Sequence, residues 1–438
     1  MAMHTSSMVS KALLLAWGLL CLPQLWAQSG ADPETSELYS RIDAYQEAIA
    51  ELDGSYGESS RELYLSLAQA QRAVGNLEDA RFAYREAVQS IRINEGLAAE
   101  SQLPLLQEFN GLLFTLQDWE QLDANMHMVE DVSRRVFGKS DERYVAAATA
   151  LANWKILAYQ THAYRPLEDS TVQDAAEIYR LLLAGLPQTP ENLDRRARYL
   201  SAKGLAHFYS AQFTAGVPVE EFRHAVPATG GYQPCMPVLL SIDRSAQPST
   251  SACNTNPTDP EYYAAQQREK NNTVRRHLSN MRQSFIEAIV AIENNPDSSP
   301  RQLAIATLNL GDANLLAEDI SRARVQYRRA WDMLSQDNES GVLRDELMGK
   351  ASKALVGILN EIPGDPRIRG EGGPLGTVSF DVTATGEIIN IDIQGPAEAL
   401  TRENIGAIAM RLDQSVYRPG LVDGRPVQSR VTLPAAEL

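Results

Sequence analysis

The hydrophobic positions between residues 37 and 361 follow the period of an α-helix. Apolar residues recur there every three or four positions, and strand-like alternation is scarce. This spacing puts apolar side chains on one face of a helix, so the pattern predicts an all-helical region. Residues 211–262 interrupt it with many prolines and glycines, which predicts an insertion or long loop. That segment is either a protruding contact element or a surface loop.

Two predicted helical pairs share one spacing of small and aromatic residues. Small side chains let antiparallel helices approach closely, and a tyrosine fills the space beside them. Asn76 and Asp319 are placed to cap the second helix of each pair. The two sets are Leu67, Ala68, Ala80, Tyr84 and Ala87, and Leu310, Gly311, Ala323, Tyr327 and Ala330.

These residues resemble the tetratricopeptide repeat (TPR), and the resemblance implies helical repeats over 37–210 and 263–361. Weaker copies are predicted around Leu106–Val132, Tyr144–Leu183 and Ala202–Phe222. The alternative is a helical bundle without repeats, since alanine and tyrosine at helical spacing are also ordinary core residues.

The predicted helical array ends before a linker. Leu343, Leu347, Leu355 and Ile358 predict a closing helix, and the glycines and prolines of 362–373 predict the linker that follows.

After this linker the hydrophobic period changes to two. Val378, Phe380 and Val382 alternate with polar residues, which predicts a half-buried strand. Thr385–Gly386 predicts a tight turn into a second strand over 388–393, so the pair is expected to form a β-hairpin.

A helix and a last strand are predicted to complete the C-terminal segment. Thr401 can cap a helix that runs to about Gln414. A further strand is expected to begin near Val416, turn at Asp423–Gly424, and resume over Val427–Leu433 before Pro434.

This order of elements, with Gly376-Thr-Val-Ser-Phe, Thr385-Gly-Glu-Ile and Tyr417-Arg-Pro-Gly-Leu-Val-Asp-Gly-Arg-Pro-Val, resembles the C-terminal domain of TonB over residues 374–438. The resemblance implies periplasmic contact with outer-membrane proteins, whose extended peptides the family adds to a sheet edge. An unrelated small α+β domain is the alternative. By position, the edge would consist of Val427, Gln428, Ser429, Arg430, Val431, Thr432 and Leu433.

The expected fold is therefore a multidomain α+β chain, in which an all-α, TPR-like helical solenoid precedes a small, TonB-like α+β domain. Its concave groove and its sheet edge would each bind a protein or an extended peptide. The same edge could also pair with a second copy of the chain.

Residues 1–27 have the pattern of a secretory signal. Lys11 precedes the apolar run Ala12–Leu22, and cleavage is predicted after Ala27. The run is shorter than the ~20 residues that span a bilayer, which favours export to the periplasm over an uncleaved inner-membrane anchor. Cys21 follows two leucines, which excludes a lipoprotein signal.

Signal removal would leave two cysteines, Cys235 and Cys253. In an oxidising compartment they are predicted to form one disulfide within the insertion. Two inert buried thiols are the alternative.

Charge and motifs narrow the function further. The net charge of -16 excludes a phosphate-tracking surface, so no nucleic-acid partner is expected. The six histidines lack the spacing of a helical metal site, and each is interpreted as an ordinary helix residue. Neither a nucleophile elbow nor a nucleotide-binding loop is present, so we expect no enzyme and no cofactor.

The leading hypothesis is a periplasmic protein-protein interaction adaptor. An alternative is a component of TonB-dependent transport that keeps its N-terminal anchor, although the sequence lacks the long proline-rich span of an energy transducer. A hydrolytic site in the 211–262 insertion is the third hypothesis, and only the length of that segment motivates it.

Overall fold

The structure is a computed structural model, and it describes residues 33–52, 56–160, 171–215, 260–335, 338–355, 358, 376–396, several residues between 400 and 412, and 417–435. The predicted signal and both cysteines of the insertion lie outside these residues. The chain divides into two compact units, Met1–Asn94 and Glu95–Leu438.

The described residues are mostly helical and carry a small antiparallel sheet near the C-terminus, which confirms the predicted fold class at this level. The helices of the first unit are α1 (Pro33–Glu51), α2 (Glu58–Ala73) and α3 (Leu77–Glu95), the last of which ends one residue into the second unit. Those of the second unit are α4 (Gln102–Leu116), α5 (Trp119–Phe137), α6 (Glu142–Gln160), α7 (Thr171–Gly185), α8 (Leu193–Ala215), α9 (Pro260–Glu293), α10 (Pro300–Leu316), α11 (Ile320–Met333) and α12 (Asn338–Met348).

Local hydrogen bonds explain where several helices begin. Ser299 and Gln302 form a capping box at the start of α10. Asp319 accepts a 3.1 Å hydrogen bond from the backbone N–H of Arg322, as its position predicts. Asn76 instead donates its side-chain amide to Gln71.

The two sets of repeat residues pack as the spacing predicts. All ten residues are buried. A Cβ on Gly311 would lie 2.5 Å from the Tyr327 ring, so only glycine allows this approach of α10 to α11. In the weaker copy formed by α6 and α7, Ala175 and Tyr179 are also buried. These residues therefore have a structural role in each helical pair.

Some helix boundaries differ from the prediction. Helix α8 continues to Ala215 and α9 already begins at Pro260, so both ends of the predicted insertion are helical. Helix α12 ends at Met348, and the prediction that Leu355 and Ile358 extend it is wrong. Both are buried against other helices of the second unit. Their apolar character reflects this packing instead of a helical face.

The sheet that follows has three antiparallel strands in the order β3–β2–β7. The strands are β1 (Ser352–Lys353), β2 (Thr377–Val382), β3 (Ile388–Gln394), β4 (Tyr417–Arg418), β5 (Gly420–Val422), β6 (Arg425–Val427) and β7 (Ser429–Pro434). The predicted hairpin of β2 and β3 is confirmed. Val378, Phe380 and Val382 point into a core that includes Ile408 and Leu412 from the helical residues between 402 and 412.

The last predicted strand, Val427–Leu433, is divided in the structure. Val427 ends β6 and pairs with Gly420 of β5, whereas Ser429 begins β7 and pairs with Val382 of β2. The chain changes partners at Gln428, so a single continuous strand is wrong. The turn at Asp423–Gly424 is confirmed, with φ values of 50° and 70° that suit a two-residue hairpin loop.

Candidate functional site

A buried ion pair joins the last helical pair to the C-terminal sheet domain. Arg418 of β4 donates from Nε to Asp312 Oδ1 and from Nη2 to Asp312 Oδ2, both at 2.8 Å. The arginine is 4% exposed and the aspartate 0%. Burial alone would lower the pKa of Arg418, but the charge and hydrogen bonds of Asp312 outweigh it and raise this pKa. Arg418 is therefore held as a cation.

Further hydrogen bonds surround this ion pair. Asp312 accepts hydrogen bonds from the Tyr327 hydroxyl (2.9 Å) and the Leu355 backbone N–H (3.0 Å). Arg418 Nη1 donates to the Leu347 carbonyl at 2.9 Å. A buried pair needs such additional hydrogen bonds to offset its desolvation.

Apolar and backbone contacts extend this junction. Leu421 of β5 packs in the same hydrophobic cluster as Tyr327. Arg328 of α11 donates to the Asp423 carbonyl at 2.8 Å, and the strand β1 that follows α12 pairs with β4. The β5–β6 hairpin thus packs on the core of the last helical pair, whereas the three-stranded sheet has a hydrophobic core of its own.

The strand β7 lies at an edge of the sheet, and no other strand among the described residues pairs with its outer side. The Ala435 N–H donates to the Gly376 carbonyl at 3.0 Å, and Leu433 pairs with Val378. Because hydrogen-bonded pairs alternate along an antiparallel ladder, the backbone N–H and C=O groups of Arg430 and Thr432 point away from β2. These groups are available to another strand.

Side chains divide between the two faces of β7. Val431 and Leu433 pack on the core, whereas Arg430 and Thr432 are exposed. Thr432 shares a 2.9 Å hydrogen bond with the Ser379 hydroxyl. The backbone nitrogen of Pro434 points away from β2, so its missing N–H removes no hydrogen bond to that strand.

The opposite edge of the sheet is less regular. The pairing of β2 with β3 shifts register between Ser379 and Asp381. Asn390 of β3 has a φ of 54° and donates its amide to Asp381 at 2.8 Å. A bulge of this kind disturbs the backbone ladder, which makes β3 a poorer template for a further strand than β7.

The second candidate surface is an open groove of about 490 Å³ between α9, α10 and α11. Ile286 and Val290 are 44% and 48% exposed and form its apolar part. Arg329 pairs with Glu293 at 2.8 Å on the rim. The Gln326 Oε1 atom is buried there without a hydrogen-bond partner among the described residues. The groove can therefore take an apolar segment.

Two further questions raised by the sequence concern a metal site and a membrane-spanning helix. The described residues contain no group of three or more histidine, cysteine or acidic side chains arranged to hold a metal ion. None of the helices that the structure describes is both long enough and apolar enough to cross a bilayer.

The structure brings together two histidines that sequence spacing treats as unrelated. His207 of α8 and His277 of α9 lie with their Nδ1 atoms 3.3 Å apart and their ring centroids 5.5 Å apart. Burial, then the charges of His277 and Lys203, lower the pKa of His207 to about 3. Burial and Arg276 also lower the pKa of His277. Both imidazoles are therefore neutral at neutral pH.

This pair predicts acid sensitivity. The unfolded chain binds a proton at each histidine near pH 6.5, whereas in the folded chain both pKa values are lowered, that of His207 to about 3. Stability should be constant above pH ~6.5 and fall below it, at about 1.4 kcal/mol per pH unit for the His207 proton. Chemical denaturation across this range measures the slope. The His207→Asn variant should have a shallower slope, and an equal slope would contradict the assignment.

No protein-family model and no curated protein sequence matches this chain.

Proposed function

We propose that this chain is a protein-binding adaptor of the bacterial periplasm that receives an extended peptide along the outer side of β7. The observation that carries the proposal is the regular edge of β7, which no other described strand covers, with the backbone groups of Arg430 and Thr432 directed outward. A partner strand gains backbone hydrogen bonds there with little demand on its side chains. The signal-like residues 1–27 support the compartment.

The groove between α9, α10 and α11 supports a second contact. Its exposed Ile286 and Val290 offer apolar area, and the ion pair of Arg329 with Glu293 lies on its rim. The Asp312–Arg418 junction ties the helices α10 and α11 to the sheet domain. A protein with two such surfaces on one body can hold two partners, or two segments of one partner, at a fixed separation.

Thr432→Pro is expected to abolish binding at the edge. Residue 432 belongs to a pair that makes no hydrogen bond to β2, so proline removes an outward N–H and leaves the β2 ladder intact. The probe is an array of peptides that tile the periplasmic segments of outer-membrane proteins. Peptides that bind wild type should lose at least about tenfold in affinity, a change of about 1.4 kcal/mol.

Thr432→Val is the matched control. It also loses the hydroxyl contact with Ser379 but keeps the outward N–H, so peptide affinity should stay near that of wild type. The backbone nitrogens of a bound peptide form two alternating sets. N-methylation should weaken binding only for the set whose N–H groups face β7. A peptide whose affinity is unchanged by Thr432→Pro but is lost with Val290→Asp binds the helical groove. If no peptide distinguishes Thr432→Pro from Thr432→Val, the edge is not the binding site.

A further inference from the structure

A separate polar groove of about 300 Å³ lies between α7, α8 and α9. Each helix contributes residues at helical spacing, so the groove follows from the register of these helices. Hydrogen-bond donors from all three helices line it, among them Gln173, Arg180, Lys203, His207, His277 and Asn280.

The charges at this groove are mainly positive, although the chain as a whole carries -16. Helix α7 contributes Glu177 and Arg180, which pair with each other. Helix α8 contributes Lys203, which has no ion pair within the described part of the chain. Arg276 of α9 stands next to His277 and acts on it electrostatically. No charged side chain from another described helix lines the groove. The local excess of cations favours an anion.

Several hydrogen-bond donors in the groove have no partner among the residues that the structure describes. The side chains of Gln173, Lys203 and Asn280 make no hydrogen bond or ion pair to any other residue that the structure describes. Within the part of the chain that the structure describes, the two histidines bond only to each other, with one Nδ1 as donor and the other as acceptor. A ligand with several acceptor oxygens would use these groups without breaking the contacts that hold the helices together.

We propose that this groove is a binding site for the phosphate group of a small molecule, held by Lys203, Arg180 and the histidine pair. Donors from three helices suit an oxyanion with several acceptor oxygens better than a carboxylate, which has only two. The volume exceeds that of a phosphate and leaves room for a small carrier, at the lower limit of ligand pockets.

The histidine pair couples this site to pH. Without a ligand, the surrounding cations and burial disfavour protonation of His207 and His277. A bound dianion reverses the local field, so a histidine can take up a proton and donate a charge-assisted hydrogen bond to it. By linkage, uptake of a proton on binding means that the affinity rises as the pH falls.

Calorimetric titration with sulfate tests this proposal, because the charge of sulfate stays constant while the histidines titrate. We expect the dissociation constant to fall at least about tenfold between pH ~7.5 and pH ~5.5, since one linked proton allows up to about tenfold per pH unit. Lys203→Gln should weaken binding roughly fivefold at either pH. Histidine side-chain NMR should show that sulfate raises the pKa of the pair.

Lys139→Gln is the matched control. It removes the same charge from an exposed loop position between α5 and α6 and should leave the sulfate affinity unchanged. His277→Asn keeps a neutral polar group and should remove the pH dependence while the chain stays folded by circular dichroism. The proposal is overturned if sulfate does not bind, if Lys139→Gln weakens binding as much as Lys203→Gln, or if affinity is independent of pH.

Discussion

Replacing Arg418 by methionine is expected to lower the free energy of unfolding of the second unit by about 3–5 kcal/mol. The substitution keeps most of the side-chain volume but leaves the fully buried Asp312 carboxylate without its cation. It also leaves the Leu347 carbonyl without the donor it has in the native protein. Denaturant unfolding followed by circular dichroism measures the loss, and hydrogen exchange locates it.

Two further variants make this test specific. Arg430→Met removes an arginine that is 51% exposed and pairs with Asp381, so its cost should stay below about 1 kcal/mol. The double variant Asp312→Asn with Arg418→Met removes both charges and should recover part of the loss. Equal effects of Arg418→Met and Arg430→Met would show that the junction contributes little.

The junction matters for the proposed function because it determines whether the two binding surfaces are independent. Asp312 lies on α10, which lines the helical groove, and Arg418 lies two residues before the β5–β6 hairpin that leads into β7. In the Arg418→Met variant, α10, α11 and the sheet should lose amide protection together. If the linker instead left the sheet domain free to move relative to the helices, the loss of amide protection would be confined to the sheet.

The sequence allowed a correct prediction of the elements that depend on local patterns. The close contact of Gly311 with Tyr327 follows from small and aromatic residues at fixed helical offsets. The β2–β3 hairpin follows from alternation around Thr385–Gly386. In both cases the residues that decide the structure are close in sequence, so their spacing carries the information.

The residues of the candidate sites could not be predicted in the same way. Asp312 and Arg418 are 106 positions apart, and His207 and His277 are 70 positions apart. No periodicity links such pairs, and a charged residue beside a predicted turn or helix is usually exposed. The sequence does not reveal the break at Gln428, because Val427, Val431 and Leu433 share one alternating phase although Val427 and Ser429 pair with different strands.

Tyr84→Ala and Tyr327→Ala are each expected to cost about 3–5 kcal/mol, because each removes a fully buried ring from a helical pair. Tyr327→Ala also removes the hydroxyl that donates to Asp312. Tyr39, which is 47% exposed, provides the control, and its replacement by alanine should change stability by less than about 0.5 kcal/mol.

The helices in which these two variants lose amide protection distinguish a repeat array from a single helical bundle. In an array, stability comes from each repeat and its neighbours, so Tyr84→Ala should increase hydrogen exchange mainly in the first unit and Tyr327→Ala mainly around α10 and α11. In a bundle with one cooperative core, either variant should reduce protection throughout the helices. Uniform loss in both variants would contradict the repeat interpretation, whereas two local losses of similar size would support equivalent roles for Tyr84 and Tyr327.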